Sequence, residues 1–368
     1  MAVMQQRKDI QGLRAVAVLL VVAGHLFPNT IKGGYIGVDI FFVISGFVIT
    51  QQMTKSYLES QKGFLLHFYA RRVRRILPSA LLVTLSTIWA TSYFLGPVAS
   101  NEAKLDGGWA TIFLSNFHFH NGALDYFSTG TQPSPLQHFW SLSIEEQFYL
   151  VWPALFLLLF SLPISLRIKQ LVVGLLIIFS LFAALFQSEI NQSPIFFVTW
   201  TRIWELGAGA LLALTAKSIP LPRIVSTLLV LFLVVAGFVI PQTMQWPRMS
   251  TIPIIIVTLV LLLRNPRISK FHLLENRVAA YLGDLSYIIY LWHWPVLTIA
   301  KGNFRDLGAQ EILFVIGVTA VLSVGTHHLF ENPLRYSGTL IARPFLTIST
   351  GVLALSVTAI FLFTSYQS

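Results

Sequence analysis

The sequence contains no cysteine. Disulfides, thiolate metal ligands and a catalytic cysteine are therefore excluded. Charge is scarce as well: Asp, Glu, Lys and Arg make up 11 % of the 368 residues, where soluble domains carry about 25 %. Acids are the rarer sign, 15 against 25 Lys and Arg. In a soluble chain such a balance points towards nucleic acid. Here the basic residues gather in loops on one side of long apolar runs, which is a signature of membrane topology and not of a nucleic-acid partner. Also missing are a Gly-x-Ser-x-Gly elbow, an HExxH pair and a phosphate-cradling glycine loop. No internal repeat is evident, which counts against an inverted-repeat transporter.

What is present in quantity is apolar: 55 % of residues are hydrophobic and the mean hydropathy is +0.71. The runs predict membrane spans near 10–28, 36–52, 75–95, 139–160, 171–187, 200–216, 224–240, 251–263, 279–299, 311–330 and 343–363. The fold class expected is thus an all-α polytopic membrane protein, a bundle of about eleven transmembrane helices embedded in a lipid bilayer. With the N-terminus in the cytoplasm, eighteen Lys and Arg fall inside and five outside, and Arg14 and Arg202 are embedded. That bias predicts N-inside and, with an odd number of spans, a C-terminus outside. The long segment 96–138, rich in aromatics such as Trp109, Phe113, Tyr126 and Phe127 and also holding Asn116 and Asp125, is expected to fold as short helices over the outer mouth. Asn116 is placed on the acceptor path.

The stretch Arg7–Thr50 carries the densest chemistry. Arg14 and His25 in the first run are eleven residues apart, which puts both on one helix face with a rise of roughly 16 Å between them. After Lys32-Gly33-Gly34 the second run returns with Asp39 inside it. In an antiparallel hairpin Asp39 is expected level with His25, where it would hold the imidazole as the orienting carboxylate of a general base. The plain alternative is a helix-packing hydrogen bond, but ionisable groups inside a bilayer are costly enough to point to function.

Further along, Arg71, Arg72, Arg74 and Arg75 crowd the inner end of the third span. The cluster reads either as topogenic or as a phosphate clamp, since arginine forks suit phosphate groups. Residues 138–149, HFWSLSIEEQFY, place Glu145 and Glu146 about 9 Å into the fourth span. Arg202 and Glu205 sit i,i+3 and are expected to pair, next to a Gly-x-Gly face at 207–209 suited to close helix packing. Residues 282–296 contribute Tyr290 and His293, and His327, His328, Glu331 and Arg335 close the tenth span. Adjacent histidines diverge on a helix, so no metal is expected.

The sequence resembles the acyltransferase-3 integral membrane acyltransferases. The residues that carry the resemblance are the Arg14–His25 spacing, GGYIGVDIFFVISGF at 33–47, RRVRRILP at 71–78, FWSLSIEEQFYLVWP at 139–153, SYIIYLWHWP at 286–295 and ENPLR at 331–335. The resemblance implies an enzyme that moves an acyl group, most often acetyl, from cytosolic acetyl-CoA to a hydroxyl of an extracytoplasmic surface polysaccharide such as lipopolysaccharide O-antigen, in the bacterial inner membrane. It implies His25 as catalytic residue, with Asp39 and Glu145 beside it. It implies Arg14, Arg72 and Arg75 at the donor; Arg71 and Arg335 are expected there as well, and Ser45, Trp140, Ser143, Glu146, Tyr149, Tyr290 and His293 are expected along the acceptor path or pore. Residues 1–335 would form the acyltransferase domain of about ten helices. Residues 336–368 would be an extra helix leading outside, as in members that continue into an SGNH-type domain, whether C-terminal or separate. Direct transfer and a covalent acyl-enzyme both remain open. The competing class is a proton-coupled transporter or flippase, with the buried ionisable residues as a proton relay.

Overall fold

The computed structural model describes residues 7–121, 133–190, 195–215, 217–241, 251–265, 272–304 and 307–367. All eleven expected runs fall on helices: α1 Lys8–Leu26, α2 Ile36–Glu59, α3 Phe64–Leu95, α6 Phe139–Ser161, α7 Leu166–Ile190, α8 Thr199–Thr215, α9 Arg223–Val239, α10 Thr251–Leu263, α12 Arg277–Asn303, α13 Ala309–Thr326 and α16 Pro344–Gln367. Between them lie α4 Pro97–Thr111, a short helix α5 at 115–121, α11 His272–Glu275, α14 Asn332–Arg335 and α15 Gly338–Ala342. Among the described residues the only β-type pairing is an isolated bridge between Ile219 and Arg264.

Among the described residues seven helices are long and apolar enough to cross a membrane, whereas α9 and α10 are apolar but shorter, at 17 and 13 residues. The outward faces are apolar too. Phe179 and Phe182 of α7 are 70 % and 65 % exposed, a surface that only a lipid solvent accommodates in such quantity. The chain is a multi-pass membrane protein.

One boundary departs clearly from expectation. α3 begins at Phe64, eleven residues before the predicted span, and runs for 32 residues. The arginine cluster hides this start from hydropathy, yet Arg, Leu and Ala are strong helix formers. Phe64, Phe68 and Ile76 bury one stripe of the early turns. Gly63 supplies the left-handed turn (φ 68°) that launches the helix. The 96–138 segment does form short helices, α4 and α5, as far as it is described; Asp125, Tyr126 and Phe127 lie outside the described residues.

The helices separate into two compact units. Unit 1 comprises Met1–Gln52, Leu162–Gln192 and Trp200–Tyr290; unit 2 comprises Met53–Ser161, Ser193–Thr199 and Leu291–Ser368. Unit 1 is knit by backbone-to-backbone approaches. A Cβ on Gly46 would stand 1.8 Å from Leu206 O, and one on Gly209 would stand 2.0 Å from Val43 O, so α2 and α8 cross without room for a methyl group. The expected small-residue face is thus real but divided, because Gly207 faces the Ile177 side chain of α7 instead. In unit 2, α3, α4 and α16 pack together, with Lys104 Nζ donating to Ser365 O at 3.1 Å.

Candidate functional site

In unit 1 the α1–α2 hairpin sets the positions of Arg14, His25 and Asp39. Both Arg14 and His25 are half-buried, His25 in the last turn of α1. The register follows from the glycines: Gly24 meets Gly34, and a Cβ on Gly37 would stand 2.3 Å from Ala17 O. Asp39, two residues beyond Gly37, is therefore near the level of Ala17. Eight residues separate Ala17 from His25, about 12 Å along the helix. The expected His25–Asp39 level match does not hold, because the tight Gly33-Gly34 turn starts the return helix lower than a loose loop would.

The carboxylate of Asp39 is engaged elsewhere. Its Oδ1 accepts from Arg202 Nη2 at 2.6 Å, and Oδ2 is buried with no hydrogen-bond partner among the described residues. Arg202 Nη1 also lies 3.3 Å from Glu205 Oε1, the i,i+3 pair expected from sequence. The guanidinium stacks over the Phe42 ring at 4.9 Å. Asp39 thus serves a buried ion cluster between α2 and α8 instead of orienting His25. Ser45, further down α2, is half-buried, and Tyr290 packs edge-on against Phe41 at 6.4 Å.

A second ionic cluster in unit 1 went unread in the sequence, where Arg7 and Arg264 counted only as topogenic charges. Arg264, 1 % exposed, reaches Glu275 Oε1 at 2.6 Å and Asp9 Oδ2 at 3.4 Å, and Arg7 Nη2 reaches the same Asp9 oxygen at 2.8 Å. Two arginines meet two carboxylates and fasten the start of α1 to the end of α10 and to α11. The signal was Asp9 itself, an acid in the first turn of a span, where it also suits the helix dipole.

Unit 2 brings the arginines of α3 to the carboxylates of α6. Arg72 lies over the Tyr149 ring at 5.1 Å and the Phe68 ring at 5.8 Å. The Tyr149 hydroxyl donates to Glu145 Oε1. Glu146 Oε1 is buried without a hydrogen-bond partner among the described residues, and the charges of Arg72 and Arg75 act on it. Ser143, fully buried on the same helix, likewise leaves its Oγ without one. Arg71 is exposed and Arg75 half-buried, whereas Arg74 is buried and donates to Leu340 O at 3.2 Å. The four arginines therefore divide: Arg74 fastens α15 to α3, and the other three are the candidates for phosphate groups.

The remaining unit 2 candidates are aromatic and histidine contacts. His293 is 3 % exposed and meets His138 edge-on at 5.8 Å. Trp140 packs edge-on against Phe196 and Phe197. Asn116, expected on the acceptor path, is fully buried. It donates to Phe197 O and Thr199 Oγ1 and accepts from Gln147 Nε2 at 2.8 Å. These three bonds hold α5, α6 and the 195–199 segment together, and the fully buried side chain lines no path. His327 Nδ1 contacts Glu331 Oε2 at 2.7 Å, and Arg335 Nη1 lies 3.3 Å from Glu331 Oε1. A π-helical turn, His327–Glu331, carries this trio, and such turns gather at functional sites. Among the described residues no group of three His, Asp or Glu is disposed to hold a metal ion.

The fold and its buried charges define a multi-pass membrane protein with ionisable groups at membrane depth. Residues 7–328 match the family of the acyltransferase domain, and the chain belongs to that family. It is similar to the peptidoglycan O-acetyltransferase OatA of Listeria monocytogenes serovar 1/2a (strain ATCC BAA-679 / EGD-e), 31 % identical over 351 residues that cover 90 % of this chain and 56 % of that protein. It is also similar to the O-acetyltransferase OatA of Staphylococcus aureus (strain NCTC 8325 / PS 47), 30 % identical over 347 residues, 89 % of this chain and 57 % of the other. The chain spans little more than half the length of these relatives. No solved structure matches it.

Proposed function

We propose that this chain is an O-acyltransferase of the bacterial cytoplasmic membrane, moving an acetyl group from acetyl-CoA to a hydroxyl of a surface polysaccharide. The observation that carries the reading is the family match over 7–328, which includes the Arg14–His25 helix. On this reading all eleven apolar runs cross the membrane, with the N-terminus inside and the C-terminus outside. Residues 1–335 form the transferase part, and 336–368 lead towards an extracytoplasmic SGNH-type partner domain, covalently attached or separate. The acceptor shifts from the O-antigen suggested by the motifs to peptidoglycan, the polymer in the name of the Listeria relative.

His25 acts as the general base. It takes the proton of the acceptor hydroxyl as that oxygen attacks the thioester carbonyl; a C–O bond forms, the C–S bond breaks, and the proton passes on to the departing thiolate. Within unit 2, Arg71, Arg72, Arg75 and Arg335 bind the phosphates of the donor; Arg14 of unit 1 is a separate donor-binding candidate. Within unit 2, Glu145 remains a catalytic candidate, and Glu146, Tyr149, Ser143, Trp140 and His293 are the residues that receive the acceptor; Ser45 and Tyr290 of unit 1 are separate acceptor candidates. Asp39 moves from orienting His25 to fixing the α2–α8 crossing.

The test is thioester consumption. Purified chain in lipid vesicles, given acetyl-CoA and peptidoglycan fragments, releases free thiol in step with acetylated glycan. Thiol release with an O-antigen acceptor alone would return the acceptor to lipopolysaccharide. Transport of either substrate without thiol release would make the chain a transporter and end the enzyme reading.

A further inference from the structure

We infer that the Asp39–Arg202–Glu205 cluster in unit 1 binds one proton, and that Glu205 carries it. The side chains of Asp39, Arg202 and Glu205 are 1 %, 2 % and 0 % exposed. Among the described residues, Arg202 is the one cation that faces either carboxylate. Two ionised carboxylates around one guanidinium would leave a net negative charge in a buried site. An uncompensated charge there is strongly unfavourable. Carboxylates that share a site avoid the cost by retaining a proton between them.

The geometry says which one retains it. Asp39 Oδ1 takes a 2.6 Å bond from Arg202 Nη2, at the short end of charge-assisted bonds, as an ionised acceptor does. Glu205 Oε1 stands 3.3 Å from Nη1, and neither Glu205 oxygen has a hydrogen-bond partner among the described residues. An ionised carboxylate buried without a hydrogen bond is far costlier than a neutral acid in the same place. The cluster is then an ion pair, Asp39 with Arg202, flanked by a neutral carboxylic acid one helical turn along α8. It is a proton-binding site independent of His25 and of the acyl-transfer reading.

Infrared spectroscopy of the full chain in lipid tests this directly. The spectrum is expected to show the C=O stretch of a buried protonated carboxylic acid, shifted on exchange into deuterium oxide. E205Q should lose the band and D39N should keep it. Thermal melting gives the second arm: E205Q, a neutral isostere, melts with the parent, whereas D39N melts lower because Arg202 loses its counter-charge. A band lost in D39N and kept in E205Q would place the proton on Asp39. Equal destabilisation of both variants with no acid band lost would mean two charged carboxylates. Either result overturns the inference. If E205Q fails to fold, carbon-13 labelling decides on the parent chain: the band must move with labelled glutamate and stay fixed with labelled aspartate.

Discussion

Gly37 lies so close to Ala17 that a single methyl group on it would stand 2.3 Å from the Ala17 carbonyl oxygen. This approach fixes the register of the α1–α2 hairpin and separates Asp39 from His25 by about two turns of helix, roughly 12 Å. The His25–Asp39 dyad expected from sequence is thereby removed, and the proposal for His25 as base rests on His25 without Asp39.

His25→Ala is accordingly expected to lower acyl transfer by about 10²–10⁴-fold, the usual worth of a positioned base, with expression and melting temperature unchanged. Acetylated glycan and released thiol are the two readouts. Wild-type turnover in this variant would falsify the assignment of His25.

Arg72→Ala and Arg75→Ala are expected to weaken binding of coenzyme A without altering topology. Arg72 is held over Tyr149 and Phe68, so its guanidinium is pre-placed for a phosphate; a charge-assisted hydrogen bond to that phosphate is worth about 1.5–3 kcal/mol. Titration calorimetry with coenzyme A measures the weakening. Arg74→Ala serves as the contrast, since its guanidinium is spent on Leu340 O: it should change stability more than affinity. Equal affinity in all three variants would reduce the cluster to a topogenic signal.

How much of this is legible in the sequence differs by kind of interaction. The apolar runs announce the long helices because a membrane demands unbroken hydrophobic length. The extension of α3 is hidden because Arg71–Arg75 depress hydropathy while favouring helix. Arg202 and Glu205 pair as spacing alone suggests, being neighbours on one helix face. The partner of Asp39 is not legible, because it lies 163 positions away and no local pattern joins them. Arg264 with Asp9, 255 positions apart, escapes sequence reading for the same reason. Asn116 misleads since polarity in a loop reads as exposure, whereas here it closes a buried amide network.

Gly46→Ala is expected to destabilise the chain by about 1–3 kcal/mol, the usual range for forcing a methyl into a full interior, because the new Cβ meets Leu206 O. Gly174→Ala, whose Cβ would find nothing within 4 Å, should leave the melting temperature unchanged or raise it slightly. If both variants melt alike, the α2–α8 crossing is looser than described.

Orientation can be read by cysteine chemistry, since the chain offers no background thiol. Asn121→Cys, exposed at the end of α5, should react with an impermeant thiol reagent added outside intact cells; Ser60→Cys, exposed after α2, should react only after lysis. The reverse pattern would invert the chain in the membrane and separate the arginines from a cytosolic donor.

The length of α3 has a further bearing on any binding measurement. Its 32 residues make a rod about 48 Å long, against a hydrocarbon layer of about 30 Å. With Leu95 at the far boundary, Arg71 to Arg75 come to the depth of the lipid headgroups on the opposite leaflet. Phosphodiesters of the surrounding lipid are then competitors for the same guanidinium groups. On the proposed reading, donor affinity is expected to be a property of the bilayer as much as of the protein, weaker in anionic vesicles than in neutral detergent, and responsive to the membrane's own phospholipid composition.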